Sequence, residues 1–348
     1  MRIAIATVQV PFCRGGAELH AERLQAALQN YGYQSNILTI PFAFSPPQVV
    51  SESIDIWQSR AIQQLVAASC DALVTLRFPA YLIKHPKRVL WLLHQHRAVY
   101  DLWETPYTDE LSKSSEGKAL QHKIQAIDTR EISQYQHRFS NSITVSERLY
   151  QFNGITSEFL YHPPPLVGRY YCQPAQPFIF CPSRLEDLKR QDLLIEAIAK
   201  LPDVCVILAG EGGNRHRLEA LISDLGLQDR VRLLGHISEA ELLAFYANCR
   251  AVFYAPYDED FGYVTLEAML SRKPVITCLD SGEPARIIQH QQTGWICEPT
   301  PDAIAEVIQW CWQHSHQLED IGIAGWDHYQ SLGISWENVV NRLTSSFA

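Results

Sequence analysis

Two glutamates stand eight positions apart in the stretch "EDFGYVTLEAML", which begins at Glu259. Glu259 lies in a predicted turn beside Phe261 and Gly262, and Glu267 lies just inside a predicted helix. Eight residues of helix rise about 12 Å, so the two carboxylates are too far apart to grip one small group. They are suited to accept hydrogen bonds from hydroxyls at separate parts of an extended ligand. Free N–H groups at the helix start favour an anion there. A nucleotide sugar has this form.

Two cations and a glycine follow predicted strands of the same half of the chain. Arg184 and Lys189, in "CPSRLEDLKRQDLLIEAI", lie after one strand and before a helix. Two fixed cations there would bind a diphosphate and stabilise the charge on a departing phosphate. Gly210, in "LAGEGGNRHRL", allows close backbone approach. The same residues are also typical of solvated loops and tight turns.

The sequence gives little indication of a metal site or of disulfide bonds. The nine cysteines are scattered singly with no C-x-x-C pair, which predicts reduced thiols in a cytosolic protein. The pairs His94/His96 and His314/His316 lack a third ligand at a suggestive spacing. No Asp-x-Asp triplet stands among the predicted strand-end loops. We therefore expect no metal and no cofactor.

The net charge and the hydropathy of the chain argue against several classes of protein. The 348 residues carry a net charge of −9, which argues against general nucleic-acid binding. Residues 1–170 carry 16 Lys and Arg against 14 Asp and Glu, whereas residues 171–348 carry 13 against 24. No run of about 18 apolar residues occurs, and the N-terminus does not resemble a signal peptide. We predict a cytoplasmic protein.

Alternating strands and helices predict an α/β fold with two Rossmann-like domains that face a central cleft. The proline-rich segment 163–177 predicts a boundary, giving domains 1–165 and 166–334. In the first half we predict a strand at "SITVS", a helix from "SERLYQF" and one helix over "IWQSRAIQQLVAAS". The segment 335–348 is amphipathic.

The chain resembles the retaining nucleotide-sugar glycosyltransferases of family 4, which have the GT-B architecture, nearly end to end. The resemblance implies that the amphipathic segment 335–348 packs back on the first domain. The pattern Glu259-x7-Glu267, followed by a Pro-Val strand, is the most specific match. "CRGGAELH" matches the N-terminal glycine loop of that family at Gly15 and Gly16. Ser281, in "DSGEPARII", differs from the Gly-Gly-x-Pro turn that the family often has.

The resemblance implies a role for each matched residue. Glu267 would accept hydrogen bonds from ribose hydroxyls and Glu259 from hydroxyls of the transferred sugar. Arg184 and Lys189 would neutralise the leaving diphosphate, and His94 would lie near the reacting carbon. The remaining donor contacts would come from Phe261, Gly262, Tyr263, Gly15, Gly16, Gly210, Gly235, His236 and Ile237.

The predicted activity is metal-independent transfer of a sugar from a UDP- or GDP-sugar to an acceptor hydroxyl, with retained anomeric configuration. The acceptor would be a glycan, a lipid-linked sugar or a small molecule, as in polysaccharide biosynthesis. The polar helical region 109–138 would meet a membrane surface peripherally or be a solvated helix face; its basic residues are Lys113, Lys118, Lys123, Arg130 and Arg138.

Two other classes remain as alternatives. The first is a non-catalytic protein that binds a sugar nucleotide. The second is a dinucleotide-dependent oxidoreductase, although the G-x-G-x-x-G fingerprint is missing after the first predicted strand.

Overall fold

A computed structural model describes residues 1–12 and 15–347. The chain divides into two compact units. The first unit contains Met1–Pro165 and Ile334–Ala348, and the second contains Leu166–Gly333.

The first unit is built on a parallel six-stranded sheet with strand order β2-β1-β3-β4-β5-β6. Its strands are β1 (Arg2–Gln9), β2 (Gln34–Pro41), β3 (Ala72–Arg77), β4 (Arg88–His94), β5 (Arg138–Ser140) and β6 (Glu158–Phe159). Every residue of β3 is buried, as expected for a parallel strand covered by helices on both faces.

Six helices follow the strands of this unit, and a seventh returns from the end of the chain. They are α1 (Gly16–Asn30), α2 (Pro47–Gln58), α3 (Arg60–Ser69), α4 (Asp109–Lys113), α5 (Ser115–Ile132), α6 (Ile143–Asn153) and α14 (Trp336–Ser345). Val339, Val340 and Leu343 of α14, with Phe347 beyond it, are buried in one apolar cluster with residues of β1 and α1. The last helix therefore completes the core of the first unit.

The second unit is built on another parallel six-stranded sheet, with order β12-β11-β10-β7-β8-β9. Its strands are β7 (Phe178–Pro182), β8 (Cys205–Ala209), β9 (Val231–Leu233), β10 (Ala251–Phe253), β11 (Val275–Cys278) and β12 (Gly294–Cys297). Its helices are α7 (Gln191–Ile198), α8 (Arg215–Asp224), α9 (Glu239–Asn248), α10 (Tyr263–Leu270), α11 (Glu283–Ile287), α12 (Pro301–Gln313) and α13 (Leu318–Ser331). The carboxyl ends of β11, β10, β7 and β8 follow one another along one edge of the sheet, which is where open parallel sheets bind ligands.

Two predictions for the first unit are wrong. The segment "SITVS" is not a strand, because Ser142 caps α6: its Oγ accepts a hydrogen bond from the Val145 N–H at 3.1 Å. The strand lies earlier, at Arg138–Ser140. The helix predicted over "IWQSRAIQQLVAAS" is broken at Ser59, whose extended backbone ends α2 and whose Oγ caps α3. In both places the apolar pattern alone gives the wrong prediction, because a capping serine fixes where the helix begins.

No helix in the described part of the chain is both long enough and apolar enough to cross a membrane.

Candidate functional site

The loop after β7 and the loop after β10 bring Lys189 and Glu259 into contact. Lys189 ends a short 3₁₀ helix, Asp187–Lys189, and its ammonium group forms an ion pair with the Glu259 carboxylate. The same ammonium donates a hydrogen bond to the Tyr254 hydroxyl at 3.3 Å. The two charged side chains are only 12% and 19% exposed. A partly buried ion pair therefore lies at the carboxyl edge of the second sheet.

The turn after β11 holds the backbone of Glu259 on both sides. The Glu259 N–H donates to the Ser281 carbonyl at 3.0 Å, and the Glu283 N–H donates to the Glu259 carbonyl at 3.0 Å. Between them, Gly282 has φ +69°, and a methyl group on its Cα would lie 2.5 Å from the Glu259 carbonyl oxygen. Only glycine fits this close approach.

Serine is compatible with position 281, where the family often has glycine. The described residues with positive φ include Gly282 but not Ser281. The Ser281 side chain is buried, and its Oγ accepts a hydrogen bond from the Cys278 N–H at 3.2 Å. The substitution therefore stabilises the end of β11 without disturbing the turn.

Helix α10 begins directly beside this turn. Gly262 caps it with a left-handed backbone, φ +77° and ψ +77°, and a methyl group there would lie 2.8 Å from the Tyr254 ring. Phe261 is buried, and its ring meets the edge of the Tyr263 ring at 5.4 Å between centroids. The backbone N–H groups of this first helical turn lie next to Glu259, where an anion is favoured.

Glu267, one turn into α10, is nearly buried, with 9% of the residue exposed. Its carboxylate accepts a hydrogen bond from the Tyr246 hydroxyl at 2.6 Å. Burial raises the pKa of Glu267, while the bond from Tyr246 acts in the opposite direction. Tyr246, on α9, therefore keeps this carboxylate in place as an acceptor.

The other predicted donor residues of the second unit follow β7, β8 and β9. Arg184 is exposed, and its guanidinium makes no hydrogen bond or ion pair with any described residue. Gly210 donates its N–H to the Gly235 carbonyl at 2.8 Å, and a methyl group on Gly210 would lie 2.0 Å from the Ser183 carbonyl oxygen. Beyond Gly235, His236 is exposed and Ile237 is half-buried.

The predicted site residues of the first unit are Gly15, Gly16 and His94. The Gly15 N–H donates to the Glu18 carboxylate at 2.9 Å, and Gly16 begins α1. Burial alone would raise the pKa of Glu18, but the Arg77 guanidinium, 2.5 Å away, and the Gly15 N–H hold it below its ordinary value. Residues 13 and 14 of the glycine loop lie outside the described residues.

His94 is the last residue of β4, and its Nδ1 lies 2.7 Å from the Gln95 carbonyl oxygen. His96 is buried against the rings of Phe42, Phe44 and Phe78, and burial lowers its pKa to about 4. No group of three or more His, Cys, Asp or Glu side chains in the described residues is placed to hold a metal ion.

Most of the basic residues of the region 109–138 have partners within the first unit. Lys113 pairs with Asp109, and Arg130 pairs with Glu131. The Lys123 ammonium donates to the Ser51 hydroxyl. Arg138 donates to backbone carbonyls, among them that of Thr156. Lys113 and Arg130 nevertheless remain 73% and 59% exposed.

Four residues that the sequence analysis missed surround the predicted ones: Arg190, Tyr246, Tyr254 and Asp280. The only signal for Arg190 is that it follows Lys189 directly. Tyr246 and Asp280 become recognisable only once the strand order is known, because their contacts join loops and helices that are distant in sequence.

Known proteins match the second unit in sequence. Residues 173–325 match the family described as "Glycosyl transferases group 1". Human alpha-1,3/1,6-mannosyltransferase ALG2 is 30% identical over 160 residues, which are 41% of this chain and 38% of ALG2. D-inositol 3-phosphate glycosyltransferase of Thermobifida fusca is 28% identical over 177 residues, 47% of this chain and 40% of that protein. The matched region thus spans about two fifths of the length of these curated relatives.

Solved structures match over the whole chain. Sucrose-phosphate synthase from Thermosynechococcus elongatus has a TM-score of 0.79 at 17% identity, covering 99% of this chain and 97% of that one. Anabaena Alr3699/HepE, solved in complex with UDP-glucose, has a TM-score of 0.71 at 18% identity, covering 99% of each chain. At such identities the likeness concerns the fold. Residues 173–325 therefore match the glycosyl transferases group 1 family, in agreement with the resemblance, and the whole chain has the GT-B fold.

Proposed function

We propose that this chain transfers a sugar from a nucleoside diphosphate sugar to an acceptor hydroxyl, with retention of the anomeric configuration. The observation that carries this proposal is the contact between Lys189 and Glu259 at the carboxyl ends of β7 and β10, beside the start of α10. It joins a cation for a leaving phosphate and an acceptor for sugar hydroxyls within the residues that match the family.

The proposed mechanism relies on electrostatic stabilisation. The bond between the anomeric carbon and the diphosphate oxygen breaks, and the acceptor oxygen forms a new bond on the same face of the sugar. The proton of the acceptor hydroxyl passes to the leaving phosphate. Lys189 and the exposed Arg184 are proposed to neutralise the charge that develops there. Glu259 is proposed to hold the sugar hydroxyls and Glu267 the ribose hydroxyls.

For the donor, we propose a UDP- or GDP-sugar. A fold neighbour has been solved with UDP-glucose, and another structure of the same protein holds UDP and glucose. For the acceptor, we propose a glycan, a lipid-linked sugar or a small molecule. ALG2 is named a mannosyltransferase and the Thermobifida protein an inositol phosphate glycosyltransferase, so relatives of this family differ in acceptor.

We propose that the activity is independent of a divalent metal, because Lys189 and Arg184 would supply the positive charge that a metal supplies in other transferases. The rate of nucleoside diphosphate release should be unchanged by excess EDTA. Loss of activity in EDTA and its recovery with Mn²⁺ would contradict this.

Peripheral membrane contact through residues 109–138 is a separate part of the proposal. Most of the basic side chains there have partners within the chain, and Lys113 and Arg130 remain more than half exposed. Flotation with liposomes that contain anionic lipid tests it. Recovery of the protein in the floated fraction would support membrane contact, and recovery at the bottom of the gradient would remove it.

The test of the proposed reaction is release of nucleoside diphosphate from UDP-, GDP- and ADP-sugars by the wild type and by Glu259→Gln. We expect one donor to be turned over and the variant to lose at least about tenfold, equal to about 1.4 kcal/mol of barrier. The ¹H NMR coupling of the anomeric proton in the product reports retention. Binding of a donor without turnover, in the presence of a broad panel of acceptors, would favour the non-catalytic alternative.

A further inference from the structure

Arg190 has a backbone conformation that arginine rarely adopts. Its φ is +50° and its ψ is +42°, in the left-handed region, at the residue between Lys189 and the start of α7. This conformation costs a residue with a Cβ on the order of 1–2 kcal/mol. Such outliers persist where surrounding contacts enforce them, and they cluster at functional sites. The contacts of the Arg190 side chain show what enforces this one.

The Arg190 guanidinium bonds to the loop that carries Glu259 and to the neighbouring loop after β11. Its Nε donates to the Ala255 carbonyl at 2.9 Å, and Nη2 donates to the Pro256 carbonyl at 3.0 Å. Nη1 and Nη2 each donate to one oxygen of the Asp280 carboxylate, both at 2.7 Å. The guanidinium also lies over the Tyr257 ring, 5.8 Å from its centroid. One side chain thus joins the loops after β7, β10 and β11.

Each of these loops carries a residue of the candidate site. The loop after β7 ends with Lys189, directly before Arg190. The carbonyls of Ala255 and Pro256 belong to the segment that leads to Glu259. Asp280 directly precedes the Ser281–Gly282 turn that holds the Glu259 backbone. The side chain that fixes the spacing of these loops therefore also fixes the spacing of Lys189 and Glu259.

We infer that Arg190 is a positioning residue of the donor site, which holds the Lys189 ammonium and the Glu259 carboxylate at the separation that sugar transfer requires. This inference rests on the proposed function. A bidentate arginine–carboxylate pair that is only 11% exposed on the arginine side has a fixed geometry, and lysine cannot reproduce its fork. Two backbone hydrogen bonds also connect these loops. The Tyr257 N–H donates to the Leu188 carbonyl, and the Asp258 N–H donates to the Asp280 carbonyl. They limit the displacement when the guanidinium is lost.

The test uses Arg190→Gly, because glycine adopts the same backbone conformation without strain and removes only the side chain. The chain offers a matched control in Arg272, which also has a left-handed backbone, φ +51°, with its guanidinium 5.2 Å from the centroid of the Trp326 ring. Arg272 precedes β11, at the opposite edge of the same sheet. Asp280→Asn is an intermediate variant, because it weakens one of the guanidinium contacts and keeps those to the two carbonyls.

Two readouts are measured, kcat and KM for the donor that the wild type uses, and backbone hydrogen exchange of residues 255–262 and 279–283 in the free protein. For Arg190→Gly we expect kcat to fall at least about tenfold with KM changed less than about threefold, because the misplaced pair acts on the transition state. We expect exchange in both segments to become at least about tenfold faster. Asp280→Asn should show a smaller loss of kcat, and Arg272→Gly should match the wild type in both readouts.

A merely structural arginine would give a different pattern. If Arg190→Gly keeps kcat within about threefold of the wild type, or if exchange in the two segments is unchanged, the inference is wrong. An equal loss of kcat in Arg272→Gly would also overturn it. If the wild type turns over no donor, the proposed function fails, and the exchange measurement still decides whether Arg190 positions these loops.

Discussion

Replacing Gly282 with alanine should displace Glu259 and thereby reduce activity, beyond the loss of stability that the strained backbone causes. A methyl group on Gly282 would lie 2.5 Å from the Glu259 carbonyl oxygen, 2.7 Å from its nitrogen and 2.9 Å from the Asp258 carbonyl carbon. Contacts of Cβ atoms below 3.0 Å essentially do not occur, so the contact between position 282 and the Glu259 backbone must open by at least 0.5 Å. Misplacement of a catalytic group by about 1 Å costs on the order of a hundredfold in rate.

A displacement of half that size should lower kcat for the donor by at least about tenfold, or about 1.4 kcal/mol. Gly226→Ala is the control for a methyl group added at a positive φ without a close contact. Gly226 has φ +65° in the same unit, and nothing lies within 4 Å of a methyl group placed there. It should lose about 1–2 kcal/mol of unfolding free energy from backbone strain alone and keep its kcat.

Urea unfolding gives the unfolding free energies, and release of nucleoside diphosphate gives kcat. A Gly282→Ala variant with kcat within threefold of the wild type would refute the reasoning, because the turn would then not control the placement of Glu259. Equal losses of kcat in the two variants would refute it as well, because backbone strain alone would explain them.

Three further predictions concern the surroundings of the site and the first unit. Tyr246→Phe should lower the free energy of unfolding by about 1–3 kcal/mol and raise the donor KM, because Glu267 loses its buried hydroxyl donor. Tyr329→Phe is the control, because the buried Tyr329 hydroxyl has no hydrogen-bond partner among the described residues, and it should lower the free energy of unfolding less. Burial lowers the pKa of His20 from 6.5 to about 3, so its contribution to stability is present above pH 6.5 and is lost as the pH falls. Between pH 7 and pH 5 this loss is about 2 kcal/mol of unfolding free energy. In urea titrations, the unfolding free energy of His20→Asn should therefore fall less over this pH range than that of the wild type. Deletion of residues 335–348 should prevent stable folding of the first unit, because each of the four buried apolar side chains contributes about 1.5–3 kcal/mol; an unchanged melting temperature would contradict this.

The fold could be predicted from the sequence where local pattern decides it. Apolar runs of four to eight residues alternate with helical spacing through both halves, and the proline-rich segment 163–177 separates them. The predictions failed at Ser59 and at Ser142, where a single capping hydroxyl decides between helix, break and strand. Such hydrogen bonds are local, but the apolar pattern around them does not predict whether the serine hydroxyl caps a helix.

The candidate site could be predicted in its residue types but not in its contacts. Glu259 and Lys189 stand out by motif, and strand-end loops are where such residues bind ligands. Their contact depends on the pairing of β7 with β10, two strands separated by β8 and β9 in sequence. Arg190 was missed for the same reason, because its partners lie 65 to 90 positions away. The role that the resemblance gives to His94, near the reacting carbon, stays a prediction.

The most direct test of the proposed function compares Lys189→Ala with Lys200→Ala in release of nucleoside diphosphate from the donor that the wild type uses. Lys200 forms an exposed ion pair with Asp302, away from the candidate site, so its loss controls for removal of one lysine. We predict that Lys189→Ala loses at least about tenfold in kcat while Lys200→Ala keeps the wild-type value, with both variants folded at the assay temperature. Wild-type turnover by Lys189→Ala would contradict the proposal that this ammonium stabilises the leaving diphosphate.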